Sequence, residues 1–279
     1  MRKWMLILLM TSAATFLRGQ SAEIGALLGG SVYSGDLSPN EFGLYFEQVR
    51  PAGGVFGRIH LNNALALRAG VTFGRISGQG NVPPGGNVFR PSFRNDLLEL
   101  SMVGEVYPFT IGRGSVQVKP YLFGGGAVFR SNPQGKFDGS IIDLQTLGTE
   151  GQGLEGYEEP YSLTQFSLPF GAGIKFVIND TWTIGAELGW RKTFTDYLDD
   201  IGSTTVNYQD VYNGNGELAA LFSNALLPGP EVGEVTYKRG GEFNDWYYMG
   251  GITISYLIGG NGSGFGGRRR GKAIGCPTF

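Results

Sequence analysis

The sequence predicts an all-β protein, an eight-stranded antiparallel transmembrane β-barrel, and three observations carry the prediction. Eight segments alternate apolar and polar residues with period two. Connections of a few residues alternate strictly with connections of tens of residues. In two of the segments, aromatic residues close both ends of the apolar face at a separation that suits a bilayer.

The first strand, over residues 23–33, sets Ile24, Ala26, Leu28 and Val32 on one face. The second, 52–61, opposes Val55, Ile59 and Leu61 to Phe56, Arg58 and His60, and an Asn62-Asn63 turn follows at once. The third, 65–76, presents Leu65, Leu67, Ala69, Val71 and Phe73 against Arg68, Gly70, Thr72 and Gly74. The fourth, 97–109, presents Leu98, Leu100, Met102 and Val106 against Glu99, Ser101, Glu105 and Tyr107. After a short connection at 110–117, the fifth, 118–130, opposes Leu122 and Val128 to Lys119, Tyr121 and Phe123. The sixth, 164–178, carries Phe166, Leu168, Phe170, Ala172, Ile174 and Phe176 against Gln165, Ser167, Gly171, Gly173 and Lys175. An Asn179-Asp180 turn leads to the seventh, where Trp182, Ile184, Ala186, Leu188 and Trp190 oppose Thr183, Gly185, Glu187, Gly189 and Arg191. The eighth, 245–258, sets Trp246, Tyr248, Gly250, Ile252, Ile254, Tyr256 and Ile258 against Asp245, Tyr247, Met249, Gly251, Thr253, Ser255 and Leu257.

Trp182 and Trp190 stand roughly 27 Å apart along a strand, and a tilt of about 40° lowers this to roughly 20 Å of height. Trp246 and Tyr256 give about 26 Å by the same geometry, so both pairs come close to the height of an apolar band of about 25 Å. A soluble sandwich alternates too, but it has no reason to place aromatics at this separation on its outer face.

The long connections are 34–51, 77–96, 131–163 and 195–244. In outer-membrane barrels short turns are periplasmic and long loops extracellular, so both termini of an eight-stranded wall are expected in the periplasm. The last loop has room for structure of its own, and a helix is expected over 216–225. Forty-eight glycines, 13% aromatic and only 16% charged residues depart from the soluble average of about 25% charged. The net charge of −2 offers no footprint for nucleic acid.

Three divisions are expected. Residues 1–22 read as a signal peptide, with Arg2 and Lys3, an apolar run over 4–10 and small residues over 11–14. That run is too short to span a bilayer, which takes about 20 apolar residues. Residues 23–258 form the barrel, and 259–279 form a Gly-rich, basic periplasmic tail carrying Arg268, Arg269, Arg270, Lys272, Cys276 and Phe279. Cys276 is the only cysteine, which excludes an internal disulfide and leaves an intermolecular one open. The tail reads as a docking element for a periplasmic protein or for anionic lipid headgroups.

The lumen face carries Arg58, Arg68, Lys119, Lys175 and Arg191 with Glu99, Glu105 and Glu187. Opposite charges in an eight-stranded barrel are expected to pair and plug it, since the lumen holds only side chains, and a gated pore is the alternative. His60, the single histidine, also faces the lumen, and a catalytic base there needs a nucleophile in reach. A plug or turn role is the simpler reading. One His and one Cys far apart in the chain offer no metal-ligand spacing. Glu150, Glu155, Glu158 and Glu159 could suggest calcium, but their irregular spacing favours a solvated loop. No cofactor is expected.

Glu23-Ile24-Gly25, Tyr33-Ser34-Gly35-Asp36-Leu37, Lys119-Pro120-Tyr121 through Gly126, Gly185-Ala186-Glu187 and the Cys276-Pro277 C-terminus resemble segments of the PorG-like outer-membrane barrels of the type IX secretion and gliding machinery of Bacteroidetes. The most specific are Leu147-Gly148-Thr149-Glu150-Gly151-Gln152-Gly153 and the run Thr193-Phe194-Thr195-Asp196-Tyr197-Leu198-Asp199-Asp200 that follows Arg191-Lys192. The resemblance implies a non-enzymatic protein connecting the outer membrane to a periplasmic ring built from a lipoprotein and its soluble partner. The alternative expectation is a generic small barrel of the OmpA or OmpX type, serving adhesion or envelope integrity.

Overall fold

The computed structural model describes residues 21–38, 48–80, 92–112, 116–178, 181–224 and 234–258. Eight strands build the wall: β1 (Ala22–Ser34), β2 (Arg50–His60), β3 (Leu65–Gln79), β4 (Ser92–Val106), β5 (Val116–Arg130), β8 (Thr164–Ile178), β9 (Trp182–Thr193) and β12 (Trp246–Ile258). Around them lie a hairpin, β6 (Pro133–Phe137) and β7 (Ser140–Asp143), and a two-stranded ribbon, β10 (Thr205–Asn207) with β11 (Thr236–Lys238). A 3-10 turn over Leu144–Leu147 and two short helices, α1 (Tyr208–Asn215) and α2 (Glu217–Ser223), complete the described elements.

Every wall strand pairs antiparallel with its neighbours in the order β3-β2-β1-β12-β9-β8-β5-β4, and the β3–β4 ladder closes the ring. Closure leaves the ring no edge strand, which a bilayer demands because lipid cannot satisfy an open ladder. The outward face exposes Leu28, Val55, Leu100, Met102, Leu122, Phe166 and Ile252, an apolar belt far larger than a soluble surface leaves open. No helix among the described residues is long and apolar enough to cross a membrane. This is an eight-stranded barrel of the outer-membrane type.

Aromatic residues gather where the belt ends. Trp182 and Tyr256 meet at 5.0 Å at one end, while Trp190 contacts Phe170 at 6.0 Å and Tyr248 at 6.5 Å at the other. At the turn end, the Asn62 side chain accepts from Ala64 N at 2.8 Å and Leu65 N at 2.9 Å, fixing the β2–β3 turn. The Asn179-Asp180 turn lies outside the described residues, as do residues 1–20 and the whole tail 259–279.

The wall departs from the sequence reading at the loop end. β3 runs to Gln79 rather than 76, β4 begins at Ser92 rather than 97 and ends at Val106, and the two pair from Leu65↔Val106 to Gln79↔Ser92. Such a ladder is about 50 Å long at roughly 3.4 Å per residue, more than a bilayer needs. Its upper rungs are polar because they have left the lipid, so the apolar pattern that marks a strand stops before the strand does. The loop over 131–163 likewise contains β6 and β7, and β6 extends the wall by pairing with β4.

Glycine at two facing positions lets neighbouring strands close up. A Cβ on Gly29 would lie 2.0 Å from Gly250 O, and one on Gly251 would lie 2.3 Å from Leu28 O, where β1 and β12 meet. The helix expected over 216–225 is present as α2 (Glu217–Ser223), and a second helix not expected from the sequence, α1, precedes it, the two separated at Gly216, whose φ of +94° is a left-handed value that glycine tolerates. Asn207 starts α1 by accepting from the backbone N–H groups of Gln209 and Asp210.

Candidate functional site

The lumen is stratified along the barrel axis. Nearest the turn end, Glu23 on β1 accepts from Arg58 on β2 and from Ser255 Oγ on β12 at 2.9 Å, and its other oxygen meets His60 Nε2 at 2.6 Å. Glu105 on β4 forms ion pairs with Arg58 Nε at 2.8 Å, Arg68 Nε at 3.1 Å and Lys175 Nζ at 2.8 Å. Tyr107 closes against both Glu105 and Lys175. Glu187 on β9 accepts from Arg68 Nη1 at 2.5 Å and from Tyr121 OH at 2.6 Å.

Three cations, Arg58, Arg68 and Lys175, thus face three carboxylates, Glu23, Glu105 and Glu187. Rings sandwich the cations: the Arg68 guanidinium lies 5.4 Å from the Phe56 ring and 5.0 Å from Phe123, and Lys175 Nζ lies 4.5 Å from Tyr107. One layer up, Arg191 pairs with Glu99 at 3.3 Å and Tyr247 OH donates to the same carboxylate at 2.7 Å.

Seven of the eight lumen residues named from the sequence stand in these ion pairs. Lys119, the eighth, is buried across the β5–β8 ladder from Lys175. Sequence reasoning missed Glu23, although its place opposite Ile24 on an alternating strand marks it as lumen-facing. Glu23 also settles how His60 is placed. The carboxylate lies between His60 and the Ser255 hydroxyl, whereas nucleophile activation needs the imidazole between carboxylate and hydroxyl.

Above the charges the lumen turns apolar. Tyr33, Ile76, Leu97, Phe129, Tyr247 and Met249 from the wall pack with Leu198, which the loop after β9 drops into the barrel mouth. Asn95 holds that loop by donating to Leu198 O at 2.8 Å, while its own side-chain oxygen accepts from Asn132 N at 2.8 Å. The cap is therefore part of the core.

The cap is rich in buried acids. Tyr33 OH donates to Asp199 at 2.6 Å and lies 3.1 Å from Asp245, whose second oxygen accepts from Leu198 N at 2.8 Å. Burial pushes both of these carboxyls well above the usual range, and their mutual repulsion adds to the shift at Asp245. Asp196 is raised to about 7, first by burial and then by Asp36 and Glu150. Asp200 takes a φ of +71° and is held there by hydrogen bonds from Thr149 Oγ1 at 2.6 Å and Tyr161 OH at 2.7 Å. Arg239 lies among these acids, donating to Thr149 Oγ1 at 2.6 Å and Asp200 O at 2.7 Å and facing Glu150 at 3.4 Å.

Glu150 corrects one expectation. It is 1% exposed, accepts from Gly202 N at 2.8 Å and meets Tyr197 OH at 3.2 Å, whereas Glu155, Glu158 and Glu159 are exposed. It belongs to the cap joint, which periodicity cannot reveal, and not to a solvated loop. Among the described residues no group of three or more His, Cys, Asp or Glu side chains is placed to hold a metal ion.

A family model described as a domain of unknown function, DUF6089, matches residues 2–223. The chain belongs to the DUF6089 family. The DUF6089 match reaches through α2, so seven of the eight wall strands lie within it, and β12, which closes the ring between β1 and β9, follows it. Among curated proteins, none matches the sequence.

Similar solved structures include Ail, the attachment invasion locus protein of Yersinia pestis, at 10% identity and TM-score 0.38, covering 86% of this chain and 99% of that one. A major outer membrane protein from Thermus thermophilus gives 14% identity and TM-score 0.38, covering 86% of this chain and 99% of that one. The N-terminal β-barrel domain of Pseudomonas aeruginosa OprF gives 12% and 0.34, with 86% and 98% covered. The fold of this DUF6089 protein rests on its own closed ladder and apolar belt.

Proposed function

We propose that this DUF6089 barrel is a non-enzymatic outer-membrane component of the type IX protein secretion system, anchoring the periplasmic ring complex to the outer membrane. Both termini lie in the periplasm in this reading, and the ring's lipoprotein and its soluble partner meet the short turns and the tail. Arg268, Arg269, Arg270, Lys272, Cys276 and Phe279 are the proposed contacts, with an intermolecular disulfide through Cys276.

One observation carries the reading. The two segments most specific to the PorG-like barrels, 147–153 and 193–200, come from different loops, yet they join in one buried set of hydrogen bonds, Thr149 to Asp200 and Tyr197 to Glu150. A side-chain-filled lumen adds support, since it suits an anchor better than a conduit.

The test is affinity purification of the tagged protein from native membranes, with and without reductant and with and without residues 259–279. Ring proteins should accompany the full chain and be lost or reduced when the tail is removed. A deletion strain that secretes its cargo normally would overturn the secretion role and favour a generic small barrel working through its loops.

A further inference from the structure

The outward face of the wall changes character within three rungs. On the β3–β4 ladder the successive same-face pairs are Phe73↔Leu98, then Arg75↔Asp96, then Ser77↔Arg94. Phe73 and Leu98 are exposed members of the apolar belt. Arg75 stands two residues further, about 7 Å along the strand and roughly 5 Å in height at a 40° tilt. Cations therefore begin where the hydrocarbon ends.

A cavity of about 750 Å³ opens at this level, lined by Arg50, Arg75, Ser77, Arg94, Gln134 and Lys136 among others. Its described lining holds four basic side chains and no acidic one. Asp96, just outside the lining, fixes two of the cations, taking Arg75 through Nε at 2.6 Å and Nη2 at 3.2 Å, and Arg94 through Nη2 at 3.0 Å. Arg50 Nε donates to Ser77 Oγ at 2.7 Å. Two carboxylates stand beside the four cations, Asp96 and Asp143, the latter holding Gln134 Nε2 at 2.8 Å on the hairpin, which leaves a positive excess of two, and three of the cations are guanidinium groups whose planar fork matches phosphate oxygens. Gln134 and Lys136 come from β6, so the hairpin supplies the far wall of the cleft. Ile141, exposed opposite Lys136, adds an apolar contact of the kind an amphipathic ligand meets.

We propose that this cleft binds the phosphorylated headgroup of an anionic lipid whose acyl chains lie against the β3–β4 belt. The orientation proposed above makes the lipid an outer-leaflet glycolipid of the lipid A type. The cleft is independent of any role in secretion. Position decides for lipid over a soluble anion: the cations face outward, directly above exposed Phe73, Leu98 and Leu100, so a phosphate bound there is best supplied by a molecule already seated in the bilayer.

The full chain is reconstituted in phosphatidylcholine nanodiscs doped with lipid A or with dephosphorylated lipid A, and lipid retained after detergent exchange is measured by native mass spectrometry. The wild type should retain the phosphorylated lipid roughly tenfold more than the dephosphorylated one. The R50Q/R94Q/K136Q variant, which spares the Arg75–Asp96 pair, should lose that preference while keeping the gel-mobility shift of a folded barrel. Equal retention of the two lipids by the wild type overturns the proposal even if the variant fails to fold, as does a folded variant with its preference intact. Complete displacement by millimolar inorganic phosphate also overturns it, because the cleft would then be a site for free anions. The reading depends on no secretion partner, so its failure and that of the anchoring role are separable.

Discussion

The Tyr33 hydroxyl, carried by the first wall strand, donates a 2.6 Å hydrogen bond to the carboxyl of Asp199, which lies 166 positions later in the loop that caps the barrel. Asp245 lies 3.1 Å from the same oxygen. Burial raises both acids and Asp199 raises Asp245 further, so the pair holds a proton more readily than free carboxyls do, and the Tyr33 hydroxyl is the polar partner they share. Removing the hydroxyl by Tyr33→Phe leaves two buried carboxyls without their shared partner, at a cost of about 1–3 kcal/mol. The substitution should speed proteolytic cleavage between residues 195 and 245 while the barrel keeps its heat-dependent shift in gel mobility. Unchanged cleavage would refute the view that this contact seats the cap.

The same acids make the cap sensitive to pH. An unfolded Asp196 titrates near 3.8 and the folded one at about 7, so between these values the folded cap holds a proton that the open chain has released. Its contribution to stability is full below the lower value and is lost as the pH rises through the higher one. Asp199, Asp200 and Asp245, all raised, act in the same direction. Hydrogen exchange of the loop should accordingly show stronger protection at about pH 5 than at about pH 8, after correction for the intrinsic rate. Asp199→Asn, whose side-chain oxygen still accepts from Ile201 N while its amide N–H points a donor at the Tyr33 oxygen, cannot ionise and should weaken that dependence.

How much of this was legible in the sequence follows from what each residue faces. β8 and β9 announce themselves because Phe166 through Phe176 and Trp182 through Trp190 alternate against glycine and polar residues along most of their length. The upper ends of β3 and β4 do not, since Arg75, Ser77, Arg94 and Asp96 stand beyond the apolar belt, where alternation has no apolar partner. The lumen charges are readable one strand at a time, but which carboxylate serves which cation depends on how neighbouring strands are staggered, and Glu23 joins only through that stagger. The cap is the least readable part. Glu150 and Arg239 meet through a fold of loops with no period, so the segment-level resemblance to PorG-like barrels was the only sequence signal that singled out the regions 147–153 and 193–200.

Glu105 is the hub of the lumen, facing Arg58, Arg68 and Lys175 at once. Glu105→Ala leaves those three cations to Glu23 and Glu187, and an uncompensated buried charge costs about 3–5 kcal/mol. The temperature at which the gel-mobility shift is lost should fall clearly. Combining it with Lys175→Met, which removes the surplus cation and keeps the bulk, should recover part of the loss. A double variant no more stable than Glu105→Ala alone would mean that charge balance is not what Glu105 supplies.

Arg239 gives the matching test at the cap. Its Nη1 reaches Thr149 Oγ1 and Asp200 O, its Nη2 donates to Phe222 O at 3.2 Å, and its charge faces Glu150 and Asp200. Arg239→Met keeps length and apolar stem but strands two buried acids, so both the 147–153 segment and the 193–200 run should gain protease sensitivity together. The defect should be conditional. Burial raises Glu150 and Asp200, so without Arg239 both take up protons more readily, and acidification removes the charge that the arginine had balanced. Cleavage of the variant should approach that of the wild type at about pH 5 and exceed it most at about pH 8, as read by mass spectrometry of the released fragments with a protease active across that range. Equal sensitivity at both pH values would show that Arg239 acts through its hydrogen bonds alone, and opening of one segment without the other would dissolve the joint between them.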